Sequence, residues 1–211
     1  MSWNSIHKHY IEQDWSKIPS IFAEQVVSYF PTAGKILEIG SGLGQDSRFF
    51  CDSGFDIIST DFSEKVTQIN EYESQKQILS GKYNINTLDV LKWVPFVDGE
   101  FDVVYAHLSL HYFSEIQIQT IILDIQRVMK KWGVFAILLN SKDDPEYGTG
   151  DKIENDFFMI WWIAKRYFDI ESAKRLFWEW FETIVLDNQW ETYKDREKWI
   201  HNLIRFVWKK I

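Results

Sequence analysis

The segment that runs from Ile36 to Asp46, ILEIGSGLGQD, combines three glycines with acidic residues after a short apolar run. The glycines lack Cβ atoms and let backbone approach a ligand closely, and the start of a following helix favours anionic groups. The spacing G-x-G-x-G, with Gln45 next, departs from the G-x-G-x-x-G dinucleotide fingerprint. Glu38 lies inside the apolar run, where burial of a carboxylate costs free energy, so that a carboxylate there indicates a function. It would suit a cationic ligand near the turn.

Acidic residues also follow two later apolar runs. Asp61 follows FDIIST, and Asp89 follows the run that begins at Tyr83. A carboxylate at the carboxyl edge of a parallel strand is placed where such sheets bind ligands, and it can accept two hydrogen bonds from a ribose. The alternative is that Asp61 begins a turn and that Asp89 caps one.

Apolar runs alternate with helical patterns over residues 20–140. The predicted strands are Lys35–Ile39, Phe55–Thr60, Tyr83–Leu88, Phe101–Ala106 and Gly133–Asn140. The predicted helices cover 20–30, 46–53, 63–74 and 115–131. Strands separated by helices are typical of βαβ units, and strands that are apolar throughout fit a parallel sheet covered on both faces. The sequence therefore predicts an α/β fold.

The last third of the chain breaks this alternation. We expect a polar loop over 142–150, helices over 152–164 and 171–181, and a strand over 183–187. The segment 200–208 suits either a strand or a helix. Seven of the 11 tryptophans follow residue 150. They predict a core built from aromatic rings, or else an aromatic-walled pocket or a subunit interface that would make a homodimer.

Composition limits the class of protein. The length of 211 residues suits a single domain, and the net charge of -8 disfavours nucleic acid as a partner. The single cysteine, Cys51, excludes an internal disulfide and a thiolate zinc site and fits a reducing compartment. No secretion signal, membrane span or metal-ligand spacing is evident, so we expect a cytoplasmic protein without a metal or a membrane partner.

The motifs together resemble those of the class I S-adenosylmethionine-dependent methyltransferases. The Glu-x-Gly-x-Gly-x-Gly pattern resembles motif I, Phe101–Ala106 resembles motif IV, and Gly133 resembles the glycine before strand five. The similarity covers residues 20–140, and GQDSRFF with LSLHYF is loosely similar to small bacterial methyltransferases of the tellurite-resistance type.

This resemblance implies a Rossmann-like sheet of seven mostly parallel strands, with helices on both faces and the last strand antiparallel. It also implies one domain over 1–211. Its parts would be an N-terminal helical cover at 1–30, a cofactor-binding core at 31–140, and a substrate cover with the last strands at 141–211.

The resemblance further implies the cofactor, S-adenosylmethionine, and the residues that bind it. The expected cofactor contacts are Glu38, Gly40, Ser41, Gly42, Gly44, Gln45, Asp46, Asp61, Phe62, Ser63, Asp89, Val90, Leu91, Ala106, His107 and Leu108. The expected acceptor contacts are Tyr10, Trp15, Asn140, Tyr147 and Arg166.

His111 and Tyr112 are the expected catalytic residues, because they follow the fourth strand, where the family places groups that face the transferred methyl. A histidine can take a proton near neutral pH, although His111 could instead be a structural residue in a loop. The exit of that strand reads AHLS and lacks the Asn/Asp-Pro-Pro-Tyr/Phe motif of nucleobase methyltransferases.

The expected reaction is methyl transfer to N, O or S of a small molecule. The alternatives are a non-catalytic binding or assembly protein on the same fold and a nicotinamide-dependent oxidoreductase.

Overall fold

The computed structural model describes residues 17–177, 181–189 and 203–211. The expected acceptor contacts Tyr10 and Trp15 lie outside these residues. The strands are β1 Lys35–Ile39, β2 Asp56–Asp61, β3 Tyr83–Thr87, β4 Phe101–His107, β5 Met129–Asn140, β6 Asp151–Glu154, β7 Phe157–Ile160, β8 Ile163–Arg166, β9 Phe181–Gln189 and β10 Leu203–Lys210. The α-helices are α1 Ile21–Val26, α2 Gln45–Asp52, α3 Glu64–Glu73, α4 Gln75–Leu79, α5 Glu115–Val128 and α6 Ile170–Phe177. Short 3₁₀ helices occupy Val27–Tyr29 and Leu110–Tyr112.

Seven strands form one sheet in the order β3-β2-β1-β4-β5-β10-β9. The first five run parallel, and β10 is antiparallel to both of its neighbours. The order reverses between β1 and β4, and ligands of open α/β sheets bind outside the strand ends at such a point. The predicted α/β fold, with its mostly parallel sheet and its antiparallel last strand, is confirmed.

The sheet is covered on both faces, as its apolar strands require. Alternate residues of one strand serve opposite faces: Ile36 packs with Phe22 and Phe50, whereas Leu37 packs in the cluster that contains α5. On the α5 side, Trp208 lies against Phe135, Phe181 and Phe206 with ring centroids 4.8–6.2 Å apart. An aromatic core is therefore present on this face.

The predicted helix over 152–164 is wrong, because β6, β7 and β8 form a separate three-stranded antiparallel sheet there. Ile160 pairs with Ile163, which leaves Trp161 and Trp162 as the two turn residues. Trp161 is 90% exposed and has a φ of 60°. The flanking β-branched and aromatic residues suit a half-buried strand better than a helix, since they lose side-chain freedom in a helix.

Three boundaries also differ from the prediction. Helix α5 ends at Val128 and β5 begins at Met129, although we expected a helix to Lys131; Trp132 has a φ of 67°, which no continuing helix accommodates. The expected helix over 20–30 is α1 followed by a 3₁₀ turn, and the expected helix over 171–181 ends at Phe177, before β9. The ambiguous segment after residue 200 is the strand β10.

No helix among the described residues is both long and apolar enough to cross a lipid bilayer.

Candidate functional site

A cavity of about 630 Å³ opens at the carboxyl ends of β1, β2, β4 and β5. Its walls come from segments that are distant in sequence: the β1–α2 turn, the exits of β2 and β3, the exit of β4, and parts of the chain after β5. Parallel strands bring these exits to the same sheet edge. All but two of the predicted cofactor residues therefore line one cavity.

The glycine turn is held against β2. The amides of Gly40 and Ser41 both donate to the carbonyl of Thr60, at 2.9 and 2.8 Å. Gly40 has a φ of 73°, and a Cβ atom there would lie 2.4 Å from the Cβ of Ser109. Ser109 in turn donates to the carbonyl of Ile39 at 2.7 Å. This close approach of two loops requires glycine at position 40.

Asp61, at the end of β2, supports the same turn. Its carboxylate accepts hydrogen bonds from the amides of Gly42 and Ser63, at 3.0 and 2.9 Å. Asp89 accepts from the amide of Leu91 at 3.1 Å. Both acids line the cavity, so each can serve a ligand as well as the loop.

Two carboxyl groups are buried beneath the turn. Glu38 accepts a hydrogen bond from Ser47, and burial together with the charge of Asp46 raises the pKa of Glu38 well above its usual value. Asp46 accepts from the Ser20 amide and hydroxyl and from the Tyr105 hydroxyl, at 2.6–2.8 Å. Asp46 thus accepts three hydrogen bonds from its neighbours, whereas Glu38 accepts one.

Two buried polar atoms at the cavity wall have no hydrogen-bond partner in the described part of the chain. They are the Ser41 hydroxyl oxygen and Nε2 of His107. Buried polar atoms are nearly always satisfied, so each of these atoms indicates a position for a ligand group or a water. Leu108, the next residue, has a φ of 50°, and backbone in this region concentrates at functional sites.

The expected catalytic residues also line the cavity. His111 is 3% exposed, and its ring centroid lies 4.0 Å from that of Tyr112. The expected acceptor contact Asn140 lines the cavity as well. Lys165 donates to Glu146 at 2.6 Å, and both side chains line the cavity.

The cavity also contains residues that the sequence did not single out. They are Ile39, Leu43, Leu88, Ser109, Phe113, Glu146, Lys165 and Leu203. Lys165 was missed because the expected helix over 152–164 hid the pairing of β7 with β8 that brings it to this wall. Glu146 lies in the expected polar loop over 142–150, and only its bond to Lys165 singles it out.

Four of the described expected residues lie outside the cavity lining. Gly44 precedes α2 as its N-cap with a φ of 76°, and Ala106 is fully buried in β4. Tyr147 donates to Asp156 at 2.8 Å. Arg166 forms hydrogen bonds within the protein: it donates to Glu154 and to the carbonyls of Phe113 and Asn155, the last two at 3.2 Å. Arg166 therefore lies away from this cavity, and its role as an acceptor contact stays a prediction.

The remaining expected cofactor residues line the cavity together. They are Glu38, Gly40, Ser41, Gly42, Gln45, Asp46, Asp61, Phe62, Ser63, Asp89, Val90, Leu91, His107 and Leu108.

Comparison with known proteins agrees with this geometry. The family model described as "Methyltransferase domain" matches residues 37–137, which run from within β1, through the glycine turn, to within β5. Over this segment the chain is similar to methyltransferases. It is similar to an uncharacterised methyltransferase of Synechocystis, with 31% identity over 49% of this chain and 46% of that protein. Across the curated relatives it matches, this chain spans 29–59% of their lengths.

Two solved structures share the fold of this chain. One, an S-adenosylmethionine-dependent methyltransferase of Methanosarcina mazei, has a TM-score of 0.78 at 16% identity, covering 89% of this chain and 97% of that one. The other is the 1,6-didemethyltoxoflavin-N1-methyltransferase of Burkholderia thailandensis, solved with its substrate and S-adenosylhomocysteine. It has a TM-score of 0.76 at 15% identity and covers 99% of this chain and 84% of that one.

The two solved neighbours are an S-adenosylmethionine-dependent methyltransferase and an enzyme with bound S-adenosylhomocysteine, and the residues of this site fit that cofactor. Asp61 and Asp89 present carboxylate oxygens to the cavity, and such oxygens accept hydrogen bonds of the kind that ribose hydroxyls and an adenine amino group donate. The unsatisfied Ser41 hydroxyl adds a polar group beside the glycine turn. Among the described residues, no group of three or more His, Cys, Asp and Glu side chains could hold a metal.

Proposed function

We propose that this protein transfers a methyl group from S-adenosylmethionine to N, O or S of a small molecule. The observation that carries the proposal is one continuous cavity. Its lining includes the glycine turn and Asp61 together with His111, Tyr112 and Asn140. A cofactor and an acceptor held in such a cavity would meet in a fixed orientation, which is the main contribution that a protein makes to a bimolecular step.

The bound cofactor would supply the reactive methyl group on a sulfonium. Asp61 and the amides of the glycine turn would hold the cofactor, and Asp89 would lie beside its adenine. Tyr112 and Asn140 would contact the acceptor, and His111 would lie beside it. The paired Lys165 and Glu146 would give the acceptor end both a donor and an acceptor of hydrogen bonds.

The size of the cavity and the acidic charge favour a small acceptor. A duplex-binding surface is usually basic, whereas this chain carries a net charge of -8. We therefore propose a small-molecule partner and no nucleic-acid partner. The aromatic C-terminal third remains our proposed interface for a homodimer.

Calorimetric titration with S-adenosylhomocysteine, with NADH as the comparison, tests the cofactor assignment. We expect one-to-one binding of S-adenosylhomocysteine and none of NADH. Binding of NADH alone would favour the oxidoreductase alternative, and binding of neither would contradict the proposal. Candidate acceptors would then be screened for release of S-adenosylhomocysteine; cofactor binding without transfer to any acceptor would favour a non-catalytic protein.

A further inference from the structure

The last residue of β4 places a histidine between a buried carboxylate and the cavity. Nδ1 of His107 lies 3.9 Å from Oδ2 of Asp46, and the His107 side chain is 12% exposed. The other ring nitrogen, Nε2, has no hydrogen-bond partner in the described residues, and the ring lines the cavity. Phe22 stacks on the ring with centroids 6.0 Å apart and planes 19° apart, which fixes its orientation.

We propose that Asp46 holds His107 with its proton on Nδ1, and that Nε2 of His107 accepts the proton that the acceptor loses on methylation. This inference rests on the proposed function and deepens it by adding a catalytic residue. Asp46 is then a positioning residue, since it acts through the imidazole. A histidine is commonly oriented in this way by a carboxylate on one nitrogen while the other nitrogen takes the proton.

The network around Asp46 suits this task. Three donors, from Ser20 and Tyr105, hold the Asp46 carboxylate in place. Burial lowers the pKa of His107 although Asp46 opposes that effect, so the resting ring is neutral near pH 7 and able to accept a proton. The other ionisable groups near the pair are Glu38 from β1 and Tyr105 from β4, and burial raises the pKa of each.

The charges and atoms balance in this step. A lone pair on the acceptor atom forms the new bond to the methyl carbon, and the electron pair of the breaking carbon–sulfur bond stays on sulfur. The proton of the acceptor passes to Nε2. One positive charge is therefore lost at the sulfonium and one appears on the imidazolium, beside the negative charge of Asp46.

The test reads the protonation of His107 directly by long-range ¹H–¹⁵N NMR on labelled protein with S-adenosylhomocysteine at about pH 7. The chain has five histidines, so loss of one ring signal in His107→Gln assigns it. We expect the wild-type ring to carry its proton on Nδ1, and the Asp46→Asn variant to shift the proton toward Nε2. The His111→Gln variant is the matched control, which should leave the His107 signal unchanged.

If the wild-type His107 ring carries its proton on Nε2, or is charged, the proposal is wrong. This measurement uses the wild-type protein and requires no substitution of Asp46. A proton that stays on Nδ1 in Asp46→Asn would overturn the role of Asp46. Calorimetry on the same samples separates the role of His107 from the proposed function. If S-adenosylhomocysteine still binds, the proposed function is not contradicted even when the role of His107 is. With an acceptor from the screen, His107→Gln should lower kcat by about 10²- to 10⁴-fold, the usual contribution of a general base; an unchanged kcat would contradict the proposal.

Discussion

At the residue scale, Asp61 both holds the glycine turn and lines the cavity. Replacing it with asparagine keeps the size but removes a charged acceptor that holds the amides of Gly42 and Ser63. We expect Asp61→Asn to weaken binding of S-adenosylhomocysteine by about 10- to 100-fold, the effect of losing a charge-assisted hydrogen bond. Calorimetry measures this change. Asp56→Asn, at the opposite end of β2, is the matched control, and equal losses in both variants would refute the role of Asp61.

Glu38 makes stability depend on pH. Because burial and Asp46 raise its pKa in the folded state, the folded chain binds a proton that the unfolded chain has released once the pH exceeds 4.5. This contribution to stability is present below the unfolded pKa and is lost as the pH rises through the folded pKa.

Glu38→Gln cannot titrate and can still accept from Ser47. We therefore expect the free energy of unfolding of Glu38→Gln to rise relative to wild type as the pH increases from about 4.5, the ordinary pKa, and to level off above the raised one. Urea denaturation across this range measures the difference. The exposed Glu73→Gln variant should track the wild type at every pH; a constant difference for Glu38→Gln would show that its pKa is not raised.

At the scale of elements, the β1–α2 turn depends on the close approach of two loops. We expect Gly40→Ala to lower the free energy of unfolding by about 2–4 kcal/mol, because the added Cβ is strained at positive φ and collides with Ser109. Gly81 has a similar φ of 78° but nothing within 4 Å of an added Cβ, so Gly81→Ala should cost only about 1–2 kcal/mol. Urea denaturation compares the two variants, and equal costs would mean that the contact with Ser109 carries no energy.

Arg166 connects the three-stranded sheet of β6, β7 and β8 to the segment that follows β4. It bonds Glu154 and the carbonyls of Phe113 and Asn155. Of these residues only Phe113 lines the cavity, and Arg166 itself does not. We expect Arg166→Met to lower stability by about 1–3 kcal/mol, because it leaves these groups unpaired, and to leave binding of S-adenosylhomocysteine unchanged. Arg175→Met, on the exposed side of α6, is the control for denaturation and calorimetry. If Arg166→Met is as stable as wild type but cannot bind an identified acceptor, Arg166 is an acceptor contact after all.

The elements of the first 140 residues could be predicted because local signals agree with the final fold. The apolar runs, the helical spacing and the glycine turn each act within a few residues, and their parallel arrangement brings the predicted acids together at one edge. The segment after β5 lacked such agreement. FFMIWWIAKR is apolar enough for either structure, and only pairing with a neighbouring strand selects the register that turns Lys165 to the cavity and Arg166 away from it.

At the scale of the whole molecule, the cavity depends on the complete fold, because its walls come from the ends of several strands. A ligand that binds only the folded state stabilises it through mass action, by about 2.7 kcal/mol when the ligand is present at 100 times its Kd. For a chain of this length, that corresponds to a rise in Tm of about 5–10 °C.

We therefore expect thermal unfolding to shift upward by this amount with S-adenosylhomocysteine and to stay unchanged with NADH at the same concentration. The Asp61→Asn variant gives the matched control, because its weaker binding should shrink the shift while Asp56→Asn retains it. A full shift in Asp61→Asn would mean that the cofactor binds elsewhere on the molecule. A shift with NADH alone would contradict the assignment of the cavity to S-adenosylmethionine. A ligand raises the Tm only if it binds the folded state.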